Sequence, residues 1–191
     1  MKTVVIVGVG ALGSHVVQLL RNCGATLRVI DFDRVEQKNV SSQFHGRTGV
    51  GKSKVVSLAQ TMQLLFNQKL DQVPHKLTAD NVEQLLGKAD LVIDCLDNGA
   101  SRRVVQAYVR ANKIHCLHGA LAADGQFGHV VWDENFKIDD EPAAGAATCE
   151  NGEHLPFIGI SSSYLAHTAK EFLTKGVKIG FLVHSGGATR T

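Results

Sequence analysis

The stretch TVVIVGVGALGSHVVQLL, Thr3 to Leu20, limits most tightly what this chain can fold into. An unbroken β-branched run comes first, glycines follow at Gly8, Gly10 and Gly13, and a helical pattern with an apolar face comes next. A run without polar alternation reads as a strand buried on both faces, as in a parallel sheet between helix layers. Gly8 allows a tight turn, Gly10 lets the backbone approach a phosphate, and Gly13 lets the helix pack close to the strand. Val16, Val17, Leu19 and Leu20 supply the helix's apolar face, and Gly24 is its expected stop.

Apolar runs and amphipathic stretches then alternate. TLRVI, DLVIDCL, KIHCLHGAL, GQFGHVVW and VKIGFLV read as strands; SKVVSLAQTMQLLF, SRRVVQAYVRANK and PFIGISSSYLAHTAKEFLTKG read as helices, the last opened by a proline and closed by a glycine. The polar, Ala- and Gly-rich residues 133–153 read as a mobile loop. The expected fold is α/β, a Rossmann-like doubly wound, mainly parallel sheet with helices on both faces. A chain of 191 residues with 44% apolar content buries one sizeable core, so a single domain over 1–191 is expected.

A formal charge of +2 with interspersed signs gives no footprint for nucleic acid or an anionic membrane. MKTVVIVGVGALG starts like a signal peptide, but its glycines interrupt the apolar run and no small-x-small cleavage site follows; no run reaches membrane-spanning length. Cys23, Cys95, Cys116 and Cys149 form no C-x-x-C pair, which disfavours a disulfide scaffold and the usual zinc patterns, so a cytoplasmic setting is expected. Cys116 and His118 share one face of a strand, but two ligands do not make a metal site.

A second glycine-rich stretch, GRTGVGKS from Gly46 to Ser53, matches the G-x-x-x-x-G-K-[ST] phosphate loop letter for letter. The residues before it, EQKNVSSQFH, are too polar for the central strand such a loop must follow. The N-terminal glycines have strand and helix in the required order, and Asp31 in RVIDFD stands at the end of the second strand, where a carboxylate accepts from ribose hydroxyls. These features alone do not separate ATP from NAD.

DFDRVEQKNVSSQF resembles the D-x-D-x-V-x-x-x-N-[LIV]-x-R-Q segment of the ThiF/MoeB/HesA and ubiquitin-activating enzymes, with Asp31, Asp33, Val35, Asn39, Val40 and Gln43 in place. GKSK, Gly51 to Lys54, is similar to the family's glycine-x-x-lysine, and DCLDN with Arg102 is similar to its D-C-x-D-N strand end. HGALAADGQFGHVVW and TCENGEHLPFIGISSSYLAHTAKEFLTKG extend the resemblance over nearly the whole chain. It implies adenylation of the C-terminal glycine of a small ubiquitin-like or sulfur-carrier protein by Mg-ATP, in a homodimer. Gly8, Gly10 and Gly13 would approach the nucleotide, Asp31 hold the ribose, Asn39 and Gln43 give neutral hydrogen bonds, Lys54 stabilise the phosphates, and Asp97 bind Mg²⁺.

The family arginine before its glutamine is Ser42 here, and the sequence offers no counterpart of the N-terminal helix that carries a second arginine in many relatives. Arg47 or Lys52 is the expected substitute, because a loop cation need only reach the phosphates. Cys149 falls where some members form a thioester or persulfide, with His154 and the helix near Pro156 as its activators; a passive loop cysteine is the alternative. Taken singly, Lys54 also reads as a solvated helix charge and Asp97 as a helix cap. A non-catalytic partner subunit and an NAD-dependent oxidoreductase stay open as alternatives.

Overall fold

The computed structural model describes residues 1–122, 124–138, 152 and 154–191. Its strands are β1 (Thr3–Val7), β2 (Thr26–Ile30), β3 (Asp71–Val73), β4 (Leu91–Asp94), β5 (Cys116–Leu121), β6 (Phe127–Trp132), β7 (Phe181–His184) and β8 (Gly187–Arg190). They form one sheet in the order β3-β2-β1-β4-β5-β6-β7-β8. The pairs from β3 to β5 are parallel; β5–β6, β6–β7 and β7–β8 are antiparallel. The helices are α1 (Ala11–Leu19), α2 (Lys54–Phe66), α3 (Val82–Leu86), α4 (Gly99–Asn112) and α5 (Leu155–Lys175).

The unbroken apolar run of β1 is explained by two covered faces. Val4 and Ile6 join a core with Val16, Val17, Leu58, Met62 and Leu165, which places α1, α2 and α5 on one side. Val5 and Val7 join Leu85, Leu86, Val105 and Val109 on the other, under α3 and α4. The Rossmann-like arrangement read from the sequence is the one observed. Among the described residues, no helix is long and apolar enough to cross a membrane.

Two glycines set how α1 sits on β1. Gly8 has a φ of +86°, and a Cβ there would stand 3.0 Å from the Cys95 carbonyl oxygen. A Cβ on Gly13 would fall 1.9 Å from the Gly8 carbonyl oxygen. No side chain fits that gap.

The structure corrects the sequence reading at several places. α1 ends at Leu19, not Gly24, and Leu19 is exposed while Val16, Val17 and Leu20 are buried. β3, α3 and β8 were not expected, because they are short and their sequences DQV, VEQLL and GATR carry no usable periodicity. Pro156 does open α5, and Gly176 closes it in the left-handed conformation. Of the expected mobile loop, residues 139–151 and 153 lie outside the described residues. Its start is fixed: Asp133–Asn135 is a 3-10 turn, with Asp133 tied to Arg110 Nε at 2.7 Å and Gln106 Nε2 at 3.0 Å.

That anchor belongs to a buried charged cluster at the carboxyl end of β4. Asp94 and His118 are register partners across β4 and β5. His118 Nδ1 stands 2.7 Å from Asp94 Oδ2, and its Nε2 stands 3.0 Å from Asp133 Oδ1. Arg102 completes the cluster, donating to Asp94 Oδ2 at 3.2 Å, to the Gly119 carbonyl at 2.8 Å and to the Leu96 carbonyl. Phe136 stacks on the imidazole with centroids 4.1 Å apart. A neutral imidazole donates from one nitrogen only, so two carboxylates favour the charged ring. Burial pulls the His118 pKa down, but the hydrogen bonds to Asp133 and Asp94 outweigh it and leave the pKa raised. Burial likewise pushes Asp133 up, and His118, Arg110 and Gln106 together bring it down to about 2.

A histidine with a raised folded-state pKa gives stability that is complete below its unfolded pKa and is lost as pH rises through the folded value. Urea unfolding from pH 6 upward is therefore expected to show a decline that His118→Leu abolishes. At pH 6 that variant should cost about 3 kcal/mol, because Asp94 loses a buried partner. Gly13→Ala should cost about 2–3 kcal/mol, since backbone must move to admit the methyl. Unchanged urea midpoints would refute either account.

Candidate nucleotide site

In an open α/β sheet, ligands bind beyond the carboxyl ends of the strands where the strand order reverses, here between β1 and β4. The glycine turn Gly8–Gly10 lies at that point. Gly8 N–H donates to the Ile30 carbonyl at 2.8 Å, and Val9 N–H to Asp31 Oδ2 at 2.8 Å. Ser14 N–H closes the first turn of α1 on the Gly10 carbonyl at 3.1 Å. The N–H groups of Ala11, Leu12 and Gly13 therefore have no helical acceptor, as at any helix start. Gly10 is the N-cap, and a Cβ on it would meet only Gln43 Nε2, at 3.9 Å. Free amides, the positive end of a helix and open space above Gly10 make an anion cradle.

Asp31 follows β2 and accepts from Val9 N–H with one oxygen and from Asp33 N–H, at 2.8 Å, with the other. Each oxygen keeps a second lone pair for a ligand hydroxyl. Burial raises the Asp31 pKa, opposed by the Lys54 charge and the two backbone donors. Lys54 is the first residue of α2 and is buried; its Nζ contacts Asp33 Oδ2 at 3.0 Å, and its N–H donates to the Asp33 carbonyl at 2.9 Å. The reading of Lys54 as a solvated helix charge is thus excluded.

Asn39 and Gln43 lie on and just after the 3-10 turn Gln37–Ser41, both buried. Asn39 Oδ1 accepts from Glu36 N–H at 2.8 Å, which commits its oxygen to the turn. Among the described residues, Gln43 Oε1 is buried without a partner, as is the hydroxyl of Ser42. The Ser42 carbonyl lies 3.0 Å from His15 Nε2, and a Cβ on Gly152 would stand 2.8 Å from the Ser41 carbonyl oxygen, so the chain entering α5 passes against this turn.

GRTGVGKS is not a phosphate loop. Gly49 N–H donates to Gly46, Val50 to Arg47, Gly51 to Val35, Lys52 to Gly49 and Lys54 to Asp33, all through backbone carbonyls. Four of its amides, those of Gly49, Val50, Gly51 and Lys52, are taken by its own turns and by the segment after β2. Lys52 is exposed and donates to Gln60 Oε1 at 3.1 Å. Arg47 is exposed on the 3-10 turn Arg47–Gly49 and makes no side-chain hydrogen bond to a described residue.

Asp97 is exposed three residues beyond β4, next to Leu96, whose N–H is held by Asp94 at 2.9 Å and whose carbonyl is held by Arg102. It does not cap α4. That role is Asn98's, whose Oδ1 accepts from Ser101 N–H at 2.9 Å. Cys149 lies outside the described residues. His154 is the N-cap position of α5, and its ring packs where a Gly125 Cβ would be. Cys116 lies 3.5 Å from His118 Nε2, but the ring's nitrogens face Asp94 and Asp133, and among the described residues no group of three candidate metal ligands occurs.

The structure thus gathers Gly8, Gly10, Gly13, Asp31, Gln43 and Lys54 around one edge, with Asn39 a turn away and Asp97 beyond β4. Sequence reasoning passed over His45. It is buried, with Nε2 2.9 Å from the Val9 carbonyl oxygen, and nothing in its sequence context marked it.

The fold of E. coli MccB, in a structure with AMPCPP and MccA, superposes with a TM-score of 0.81 at 15% identity, covering 100% of this chain and 62% of that one. Molybdopterin-synthase adenylyltransferase of Escherichia coli is 32% identical over 185 residues, 89% of this chain and 72% of that protein. Ubiquitin-like modifier-activating enzyme 5 of Drosophila virilis is 29% identical over 144 residues, 68% of this chain. The chain spans only 36% of that relative's length. The ThiF family model matches residues 1–179, so nearly the whole chain, from the first strand to the end of its last helix, belongs to the ThiF family.

Proposed function

We propose that the chain adenylates the C-terminal glycine carboxylate of a small ubiquitin-like or sulfur-carrier protein. A carboxylate oxygen attacks the α-phosphorus of ATP, the bond from that phosphorus to the bridging oxygen breaks, and pyrophosphate leaves with acyl-adenylate as the other product. The observation that carries this reading is the assembly of free amides at the start of α1 with Asp31 and Lys54. A carboxylate attacking a tetra-anionic nucleotide needs its charge neutralised and its line of attack fixed, and these groups supply both. The names of the E. coli adenylyltransferase and of the MccB complex with AMPCPP agree with it.

In this reading Asp31 accepts from the ribose hydroxyls, Asn39 and Gln43 offer amide groups, and Lys54 leaves Asp33 for the phosphates. The exposed carboxylate of Asp97 fits Mg²⁺, a cation usually held by one or two carboxylates and phosphate oxygens rather than by a protein cage. Mg²⁺ would neutralise phosphate charge there. Arg47 replaces the arginine lost at Ser42, because Lys52 is already engaged with Gln60. In a later step the Cys149 thiolate would attack the acyl carbonyl of the acyl-adenylate, forming a thioester as the bond to the phosphate oxygen breaks and AMP leaves. Leu64, Leu65 and Phe66 at the end of α2 are exposed, and Arg21 stacks on Phe66 at 4.6 Å. A second copy of the chain would cover that face in a homodimer. The described cysteines Cys23, Cys95 and Cys116 are free thiols, in keeping with a cytoplasmic setting.

Calorimetric titration is expected to show micromolar Mg-ATP binding and no NAD binding. NAD binding alone would replace this reading with an oxidoreductase, and binding of neither would favour a non-catalytic partner subunit, in line with the arginine missing at Ser42. Lys54→Ala and Arg47→Ala should each weaken Mg-ATP about 10-fold, the size of a lost charge-assisted contact. Unchanged affinity in Arg47→Ala would leave the phosphates without that cation.

A further inference from the structure

Val9 sits at the middle of the glycine turn, fully buried, and both of its peptide groups are held. Its N–H donates to Asp31 Oδ2 at 2.8 Å, and its carbonyl oxygen lies 2.9 Å from His45 Nε2. A carbonyl only accepts, so Nε2 carries the proton. Nδ1 is then the acceptor nitrogen, and it is buried without a partner among the described residues. Burial lowers the ring's pKa to about 4, opposed by the bond to Val9 and helped by the Lys54 and His15 charges, so the ring is neutral at pH 7.

The geometry matters because no peptide bond among the described residues is cis, and in a trans peptide the carbonyl of one residue and the N–H of the next point to opposite sides. Holding the Val9 carbonyl on His45 turns the Gly10 N–H away from His45. A released peptide is free to rotate, and a carbonyl turned toward an anion repels it where an N–H attracts it. Glycine at position 10 makes that rotation easy, since it lacks the Cβ that restricts φ. The clamp is therefore placed where the turn is weakest.

We infer that His45 is a positioning residue for nucleotide binding: its Nε2–H fixes the Val9–Gly10 peptide so that the amides opening α1 stay directed at the phosphates. The inference rests on the proposed nucleotide site and adds to it a residue that touches the loop rather than the ligand. His45 acts on one side of Val9 and Asp31 on the other. Because Asp31 also faces the ribose in that reading, His45 is the partner whose removal isolates the clamp.

The test compares wild type, His45→Leu and His45→Gln by calorimetry with Mg-ATP and with adenosine, and by amide hydrogen exchange of the unliganded proteins. His45→Leu should bind Mg-ATP about 10-fold more weakly and adenosine within about 2-fold of wild type, since only the phosphates feel the peptide. His45→Gln, which carries an amide N–H within reach of the same carbonyl, should return Mg-ATP affinity to within about 3-fold. Exchange at Val9, whose N–H is held by Asp31 on the same turn, should speed about 10-fold in His45→Leu and not in His45→Gln. Unchanged Mg-ATP affinity in His45→Leu, or equal losses for Mg-ATP and adenosine, overturns the inference. A wild-type protein without Mg-ATP affinity removes the nucleotide reading itself, and equal exchange rates in all three proteins remove the clamp.

Discussion

The approach of α1 to β1 is the constraint on which the nucleotide edge depends. The Gly8 carbonyl points into the place where a Gly13 side chain would begin, and Gly8 in turn lies against the Cys95 carbonyl of the neighbouring strand end. Three backbones meet with nothing between them. That contact brings the start of a helix, with its unpaired amides, to the one edge of the sheet where β1 and β4 part. Any side chain there would tilt the helix and carry those amides away.

A second layer of fixation comes from charge. Asp94, His118, Asp133, Arg102 and Arg110 tie β4, β5, the turn after β6 and α4 together. Buried ion pairs add less net stability than their Coulomb attraction implies, because desolvation opposes them. Their directional hydrogen bonds fix geometry, here holding both the N–H and the carbonyl of Leu96, the residue that introduces Asp97. The segment that follows β6 begins at this cluster, through Asp133.

The sequence was most legible where physics is local and repeated. β1 declared itself by an apolar run that only a strand covered on two faces can use, and α5 by its proline start and glycine stop. β3 and β8 were silent because an edge strand needs only neighbours and not an apolar pattern. The site divided the same way. Glycines and Asp31 follow from the turn and strand end, whereas His45 acts across 36 positions on a backbone carbonyl, a relation no spacing encodes. Asp97 was read as either ligand or cap; the cap went to Asn98 because its β-region backbone aims Oδ1 at Ser101 N–H.

The stretch from Gly46 to Ser53 shows what a letter pattern omits. Glycine is favoured both by loops that wrap an anion and by loops that merely turn sharply, and Gly51, at a φ of +84°, belongs to the second kind. Recognition of phosphate is a matter of vacant donors, and here the amides from Gly49 to Lys52 are spent on the chain's own carbonyls. Two segments of one protein can therefore share an alphabet and differ wholly in chemistry. Within this turn Lys52 is free to vary wherever the bends survive, a latitude denied to Gly49, whose Cβ would stand 2.1 Å from Ser57 Oγ, and to the quieter turn at Val9.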